Sequence, residues 1–260
     1  MKNKKEVFAK KQYGQNFLHD KNIINKILNV FPYQNQNVLE IGPGRGALTK
    51  ELVKDAKQLT CFEIDQDMVN ILEKEIVADN FKLVHQDFLE ADLSDIQPNT
   101  YVIANIPYYI TTEILFKLFE NRDKFSGVLL MVQKEVAERI TASKNSKDYS
   151  KLSISSQYLA DCKIEFIVPA GCFVPAPKID SAIISLRFKE QEETKEWEQI
   201  KDFFKLCFLA RRKKLSYALK TVYKPEVIQA AYQKLNKDDN LRIQQLDLQE
   251  IIELYHLLNK

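Results

Sequence analysis

The chain has 260 residues, of which 45% are hydrophobic and 28% charged, and its 38 Lys and Arg against 36 Asp and Glu leave a net charge of +2. This length suffices to bury roughly 75% of the unfolded surface, so one large domain with an appendage is expected, and the charge balance alone does not announce a nucleic-acid protein. The longest apolar runs, such as Val128-Leu-Leu-Met-Val132, fall far short of the ~20 residues that span a bilayer, and the Lys-rich start lacks a signal-peptide core, which predicts a cytoplasmic protein with no membrane partner.

Residues 1–15 carry Lys2, Lys4, Lys5, Lys10 and Lys11 against Glu6, a first basic patch. Apolar spacing then predicts a helix over 22–31, strands over 37–41, 59–63, 81–85, 100–104 and 127–132, and helices over 46–56, 66–76, 112–120, 133–142 and 151–160. Such β/α alternation implies a mainly parallel sheet. Two further runs, 163–168 and 181–188, have only a loop between them and predict an antiparallel hairpin at one edge. The acidic stretch Lys189-Glu-Gln-Glu-Glu-Thr-Lys-Glu-Trp-Glu198 has few apolar residues and no strand follows it, so a boundary near 190 divides residues 1–189 from 190–260. The second part reads as helices over 196–210, 212–222, 225–235 and 247–258, with Pro225 suited to a first turn and Asp247 to an N-cap.

The ends of the first strands carry the chemistry. Val38-Leu-Glu-Ile-Gly42-Pro-Gly44-Arg-Gly46-Ala-Leu-Thr49 enters as an apolar run, turns on glycines and leaves as a helix, the order of a nucleotide loop. Its Gly-x-Gly-x-Gly spacing is not the dinucleotide fingerprint, and the Walker lysine is missing. Glu40 precedes the loop, and Glu63 ends the next strand about 20 residues past it, the distance at which an acid accepts from ribose hydroxyls. Asp87 follows the third strand, where a bound adenine amine needs an acceptor. Tyr101-Val-Ile-Ala104 then delivers Asn105-Ile106-Pro107-Tyr108. Pro107 there ends a ladder, while an Asn carbonyl, a main-chain carbonyl and an aromatic ring together suit a planar exocyclic amine stacked on the ring.

Cys61, Cys162, Cys172 and Cys207 form no Cys-x-x-Cys pair, and His19, His85 and His256 lie far apart, so no metal is expected. Cys61 and Cys207 read as small buried hydrophobes. Residues 201–220 hold a second basic patch in which Arg211, Arg212, Lys213 and Lys214 are consecutive, within an expected helix. Cations crowded along a helix repel one another unless a polyanion lies nearby, and RNA is the expected one.

Taken together, Tyr13-Gly-Gln-Asn16-Phe-Leu18, the glycine loop, Glu63, Asp87, Asn105-Ile-Pro-Tyr108 and Phe173-Val-Pro175-Ala-Pro177-Lys-Ile-Asp180-Ser181 closely resemble the KsgA-type small-subunit ribosomal RNA adenine dimethyltransferases, also called Dim-type methyltransferases. The resemblance covers nearly the whole chain. It implies an α/β fold, a Rossmann-like class I methyltransferase with a mainly parallel seven-stranded sheet and a small all-helical C-terminal domain that docks on RNA. It also implies S-adenosylmethionine as cofactor, no metal, and the small ribosomal subunit with its RNA as partner; a monomer is the default. By resemblance, Asn16 and Leu18 close over the cofactor's methionine part, Gly42 and Gly44 face it, Glu63 holds the ribose and Asp87 the adenine. Asn105 and the Ile106 carbonyl meet the target amine beside Pro107, Tyr108 stacks on the flipped-out adenine, and Phe173 covers its other face. Lys10, Lys11 and Arg211 to Lys214 contact RNA.

One departure stands out: Tyr109 occupies a position where the family usually has Asn. Ile106 is equally at home in the related branch that dimethylates large-subunit RNA and gives antibiotic resistance, whereas Lys178-Ile-Asp180-Ser-Ala182, Arg211-Arg-Lys-Lys-Leu215 and Arg242-Ile-Gln-Gln-Leu246 favour the small-subunit branch. A ribosome-assembly or transcription factor that no longer depends on methyl transfer is a further reading, which the intact Asn105, Tyr108 and cofactor loop oppose. A DNA adenine methyltransferase is opposed by the missing target-recognition domain.

Overall fold

The structure, a computed structural model, describes residue 10 and residues 13–190 and 194–260. In chain order the elements are β1 (Phe17–Leu18), α1 (Lys21–Leu28), β2 (Asn37–Ile41), α2 (Thr49–Asp55), β3 (Gln58–Glu63), α3 (Gln66–Glu75), β4 (Phe81–His85), β5 (Thr100–Asn105), α4 (Thr111–Glu120) and β6 (Phe125–Gln133). There follow α5 (Lys134–Ile140), α6 (Lys151–Leu159), β7 (Ala160–Val168), β8 (Phe173–Val174), β9 (Ser181–Phe188), α7 (Trp197–Phe208), α8 (Leu215–Leu219), α9 (Pro225–Lys234) and α10 (Leu248–Leu258).

Seven strands form one sheet in the order β4-β3-β2-β5-β6-β9-β7. The pairs β2·β3, β3·β4, β2·β5 and β5·β6 are parallel and β6·β9 is antiparallel, so the sheet is mainly parallel, as β/α alternation predicts. The central strands carry apolar residues on both faces because both faces are covered: Val102 and Ile103 of β5 are fully buried, as are Val128 and Leu130 of β6. Successive connections leave β2 in one direction through β3 and β4, and the chain then returns to place β5 on β2's other side. Such a reversal opens a crevice at the carboxyl ends of the strands.

Two compact units divide the chain. One comprises the chain through Ala137 together with Lys163–Phe188, and the other comprises Glu138–Cys162 and Lys189–Lys260. The break at 188/189 falls beside the boundary expected from composition, but the second unit also takes in 138–162, which the sequence reading assigns to the first. Packing explains the difference. Tyr158 of α6 stacks on Trp197 at 6.1 Å and meets Phe204 edge-on at 5.6 Å, and Tyr149 meets Phe208 at 5.8 Å.

The helices of the second unit begin where the caps predict. Pro225 occupies the first turn of α9, where its missing N–H costs nothing. Asp247 accepts the Glu250 N–H at 2.9 Å while the Glu250 carboxylate accepts the Asp247 N–H at 2.9 Å, a capping box that satisfies two otherwise orphaned donors of α10. The expected helix over 212–222 is corrected: Arg211–Lys214 form a turn, and α8 starts only at Leu215. A turn relieves the i,i+3 repulsion between Arg211 and Lys214 that a helix imposes. Lys214 sits at the N-cap of α8 with extended backbone.

Candidate active site

Four strand ends meet in one pocket. Gly42 directly follows β2, Glu63 closes β3, Asp87 lies just past β4 and Asn105 closes β5, and all four line the same cavity with Gly44, Ile106, Pro107 and Tyr108. The facing wall is a strap, residues 13–18, which contributes Asn16 and Leu18. β1 within the strap pairs antiparallel with β8, setting Phe17 opposite Val174 and Leu18 opposite Phe173.

Glu63 is 4% exposed and its two oxygens accept different main-chain donors, Gly44 N–H at 2.9 Å and Asp65 N–H at 2.8 Å. Burial raises its pKa although these bonds pull the other way, because an ionised carboxylate loses more solvation than the amides restore. The bonds tie the glycine loop to the start of α3. Asp87, half-buried, accepts the Leu89 N–H at 2.8 Å through one oxygen, which leaves the second oxygen as a further acceptor.

Glu40 lies deeper, 2% exposed, and burial pushes its pKa from the ordinary 4.5 up to about 8. Its carboxyl accepts the Cys61 thiol at 3.6 Å, and Cys61 is fully buried in the core, as its place in an apolar strand predicts. Because the folded chain holds this proton in a range where the unfolded chain has lost it, Glu40 contributes stability that is complete below pH 4.5 and is lost as the pH rises through about 8. Glu40→Gln is therefore expected to flatten stability against pH across that window. Urea midpoints at mildly acidic, neutral and mildly alkaline pH read this directly, and an unchanged slope in the variant excludes Glu40 as its source.

Asn105 is fixed from the strap. Its Nδ2 donates to the Asn16 main-chain carbonyl at 3.1 Å, and since a carbonyl only accepts, this bond decides which way the carboxamide faces. The Oδ1 remains an acceptor at the pocket. Tyr108 is half-buried, with its hydroxyl hydrogen-bonded to that of Ser181, so its ring is held in place by a strand on the far side of the sheet's β6.

Three expected site residues are placed differently. Phe173 is 2% exposed and belongs to the core cluster with Leu18 and Ile183; alternation along β8 turns Phe173 inward and leaves Val174 exposed. Lys10, expected on RNA, instead bonds Asp65 at 2.6 Å and Asp67 at 2.7 Å, alongside Gln15, which also reaches Asp65 at the start of α3. Arg211 donates to the Ser146 carbonyl at 2.9 Å within its own unit, whereas Arg212, Lys213 and Lys214 are exposed, Lys213 lying 3.8 Å from the Tyr217 ring centre. Lys11 lies outside the described residues. Sequence reasoning passes over Gln15 and Asp65, which bond each other at 2.8 Å; Asp65 was detectable as the N-cap of α3.

Among the described residues no group of three or more His, Cys, Asp and Glu could hold a metal ion, and no helix is long and apolar enough to cross a membrane.

The doubly wound sheet, the glycine loop and the Asn-Ile-Pro-Tyr end of β5 define a Rossmann-like α/β methyltransferase. More particularly, the chain belongs to the ribosomal RNA adenine dimethylase family, whose model matches residues 7–260. It is 56% identical over 252 residues to the ribosomal RNA small subunit methyltransferase A of Mycoplasmopsis synoviae (strain 53), spanning 96% of this chain and 97% of that protein. The protein of the same name from Aliarcobacter butzleri (strain RM4018) is 44% identical over 245 residues, 91% of each chain. In three dimensions the chain is similar to a dimethyladenosine transferase from Plasmodium falciparum, with a TM-score of 0.79 and 25% identity over 94% of this chain and 97% of the other. It is also similar to the 23S rRNA methyltransferase ErmE, with a TM-score of 0.73 and 28% identity over 94% and 100%.

Proposed function

We propose that this protein transfers methyl groups from S-adenosylmethionine to the N6 amines of two adjacent adenosines near the 3′ end of small-subunit ribosomal RNA, in the cytoplasm and as a monomer, during ribosome biogenesis. The observation that carries the reading is the Asn105 carboxamide, whose nitrogen is tied to the strap at 3.1 Å and whose oxygen is thereby left toward the pocket.

The pocket's donor set suits the cofactor. Gly42 leaves room for close backbone approach, since a Cβ there would come no nearer than 3.9 Å, at Pro107, to any residue beyond its chain neighbours. Glu63 and Asp87 are acceptors for a ribose diol and an adenine amine, and Asn16 and Leu18 stand opposite them. When bound, the cofactor supplies an electrophilic methyl group. The target amine is a weak nucleophile because its lone pair is delocalised into the purine. Asn105 Oδ1 and the Ile106 carbonyl accept its protons and turn the lone pair out of the ring plane, while Tyr108 stacks on the base, a contact of roughly 1–3 kcal/mol. Pro107 stiffens the link between them. Phe173 acts from behind, holding Leu18 through the β1·β8 pair. Once methylated, the nitrogen is acidic enough to release its proton to solvent, so alignment and charge placement carry the rate.

Arg212, Lys213 and Lys214 are the cations we assign to RNA phosphates, with Arg211 bracing the turn that presents them. Arg212→Ala with Lys214→Ala is expected to weaken subunit binding and to lower the slope of log affinity against log salt by roughly 0.7 to 0.9 per lost phosphate contact. Cofactor affinity is expected to stay unchanged. Binding measured across a salt series tests this, and an unaltered slope removes these residues from the interface.

The deciding experiment is transfer of labelled methyl from S-adenosylmethionine to unmethylated small subunits and, separately, to large-subunit RNA, with the product nucleoside identified by mass. Dimethyladenosine in small-subunit RNA alone supports the reading. The ErmE likeness gives the competing outcome its interest: label in large-subunit RNA moves the chain to that branch. Subunit binding without label points to an assembly factor.

A further inference from the structure

Two aromatic rings lie on two glycines in a reciprocal arrangement that locks the strap to the site. Gly44, in the glycine loop, has φ +55°, and a Cβ placed on it would stand 3.1 Å from Cε1 of Phe17 in the strap. Gly14, in the strap, has φ +59°, and a Cβ placed on it would stand 3.1 Å from Cδ1 of Tyr109. The strap thus sets a ring on the loop, and the chain after Asn105-Ile-Pro-Tyr108 sets a ring on the strap. Both glycines are required by a left-handed backbone and again by the ring that covers them.

Between these contacts lies the bond that orients Asn105. The Asn16 carbonyl accepts Asn105 Nδ2 at 3.1 Å, and the Asn16 side chain donates back to the Gly14 carbonyl at 3.1 Å. The residue covered by Tyr109 and the residue that holds Asn105 are therefore joined by a hydrogen bond within the strap. Rotating the Asn105 carboxamide would set oxygen against the Asn16 oxygen, so the strap's position selects the productive face. Tyr109 remains 59% exposed. A large aromatic so exposed contributes little to a core; its covered side meets the strap at Gly14 and lines the pocket.

We propose that Tyr109 is a positioning residue for methyl transfer, its ring on Gly14 holding the strap where the Asn16 carbonyl fixes the Asn105 carboxamide. The inference rests on the adenine-transfer reading above.

Tyr109→Ala is expected to lower kcat by about one to two orders of magnitude, since a misplacement near 1 Å at a reacting centre has effects of about 10²-fold. Tyr109→Phe keeps the ring and is expected to restore kcat. Gly14→Ala perturbs the same strap, and because Tyr109→Ala removes the ring that its methyl group strikes, the double variant should be less impaired than the two losses multiplied. Thermal unfolding of the two Tyr109 variants, checked alongside, is expected to match the wild type, whereas Gly14→Ala and the double variant carry the cost of an Ala at positive φ. Two results overturn the proposal: a Tyr109→Ala enzyme with unchanged kcat, or one whose KM for RNA rises while kcat holds, which would make Tyr109 an RNA contact. A wild-type enzyme that labels no adenosine would instead remove the underlying reading, so the two failures are distinguishable.

Discussion

Replacing Asn105 by Ala is expected to lower the single-turnover rate of methyl transfer by about 10²- to 10³-fold, the loss found when one preorganised hydrogen-bonding group at a reacting centre is removed. The effect is large because Asn105 has two bonds to make with opposite ends of one planar group, an N–H to the Asn16 carbonyl at 3.1 Å and an acceptor left for the target amine. Asn105→Asp is the more discriminating variant. It keeps the size and the acceptor, but a carboxylate has no N–H to give Asn16 and places oxygen against oxygen, so it is expected to lose activity despite its near-identical shape. Rapid-quench transfer under saturating cofactor, with circular dichroism to confirm folding, measures both variants. Activity of Asn105→Ala within threefold of wild type would sink the assigned site.

Trp197→Ala is expected to destabilise the second unit by about 3–5 kcal/mol, the range for truncating a large buried aromatic. Trp197 is 1% exposed and stacks on Tyr158 at 6.1 Å, with Phe204 at 6.5 Å. Its loss leaves a cavity that two other rings cannot fill without leaving their rotamers. As the chain's one Trp, it is also a built-in reporter: its fluorescence follows this unit in the wild type, and far-ultraviolet circular dichroism replaces it in the variant. An unchanged denaturant midpoint would mean that the Trp197 cluster does not hold Glu138–Cys162 and the C-terminal helices together.

Much of the sheet was legible because its signals are local. The runs at Asn37–Ile41, Phe81–His85 and Ser181–Phe188 are observed with the expected bounds: inner strands carry apolar residues on both faces whatever they pair with, and the partly exposed edge strand is still marked by Phe81, Leu83 and Val84. The helix starts at Pro225 and Asp247 were legible for the same reason, as caps act within one turn. The turn at Arg211–Lys214 was not, because the apolar residues before it continue a helical period that backbone geometry then breaks.

By itself the sequence determined the α/β order, the glycine loop and the delivery of Gly42, Glu63, Asp87 and Asn105 to strand ends, because each depends on residues within a few positions of one another. Tertiary structure alone decided the two-residue pairing of Phe17–Leu18 with Phe173–Val174, the burial of Phe173, the engagement of Lys10 by Asp65 and the placing of 138–162 with the C-terminal helices. It also decided the facing of the Asn105 carboxamide, which a carbonyl 89 residues earlier selects. Periodicity records which side of an element avoids water, whereas a hydrogen-bond partner or a covering ring is chosen by chain closure over long separations, and no local pattern encodes that choice.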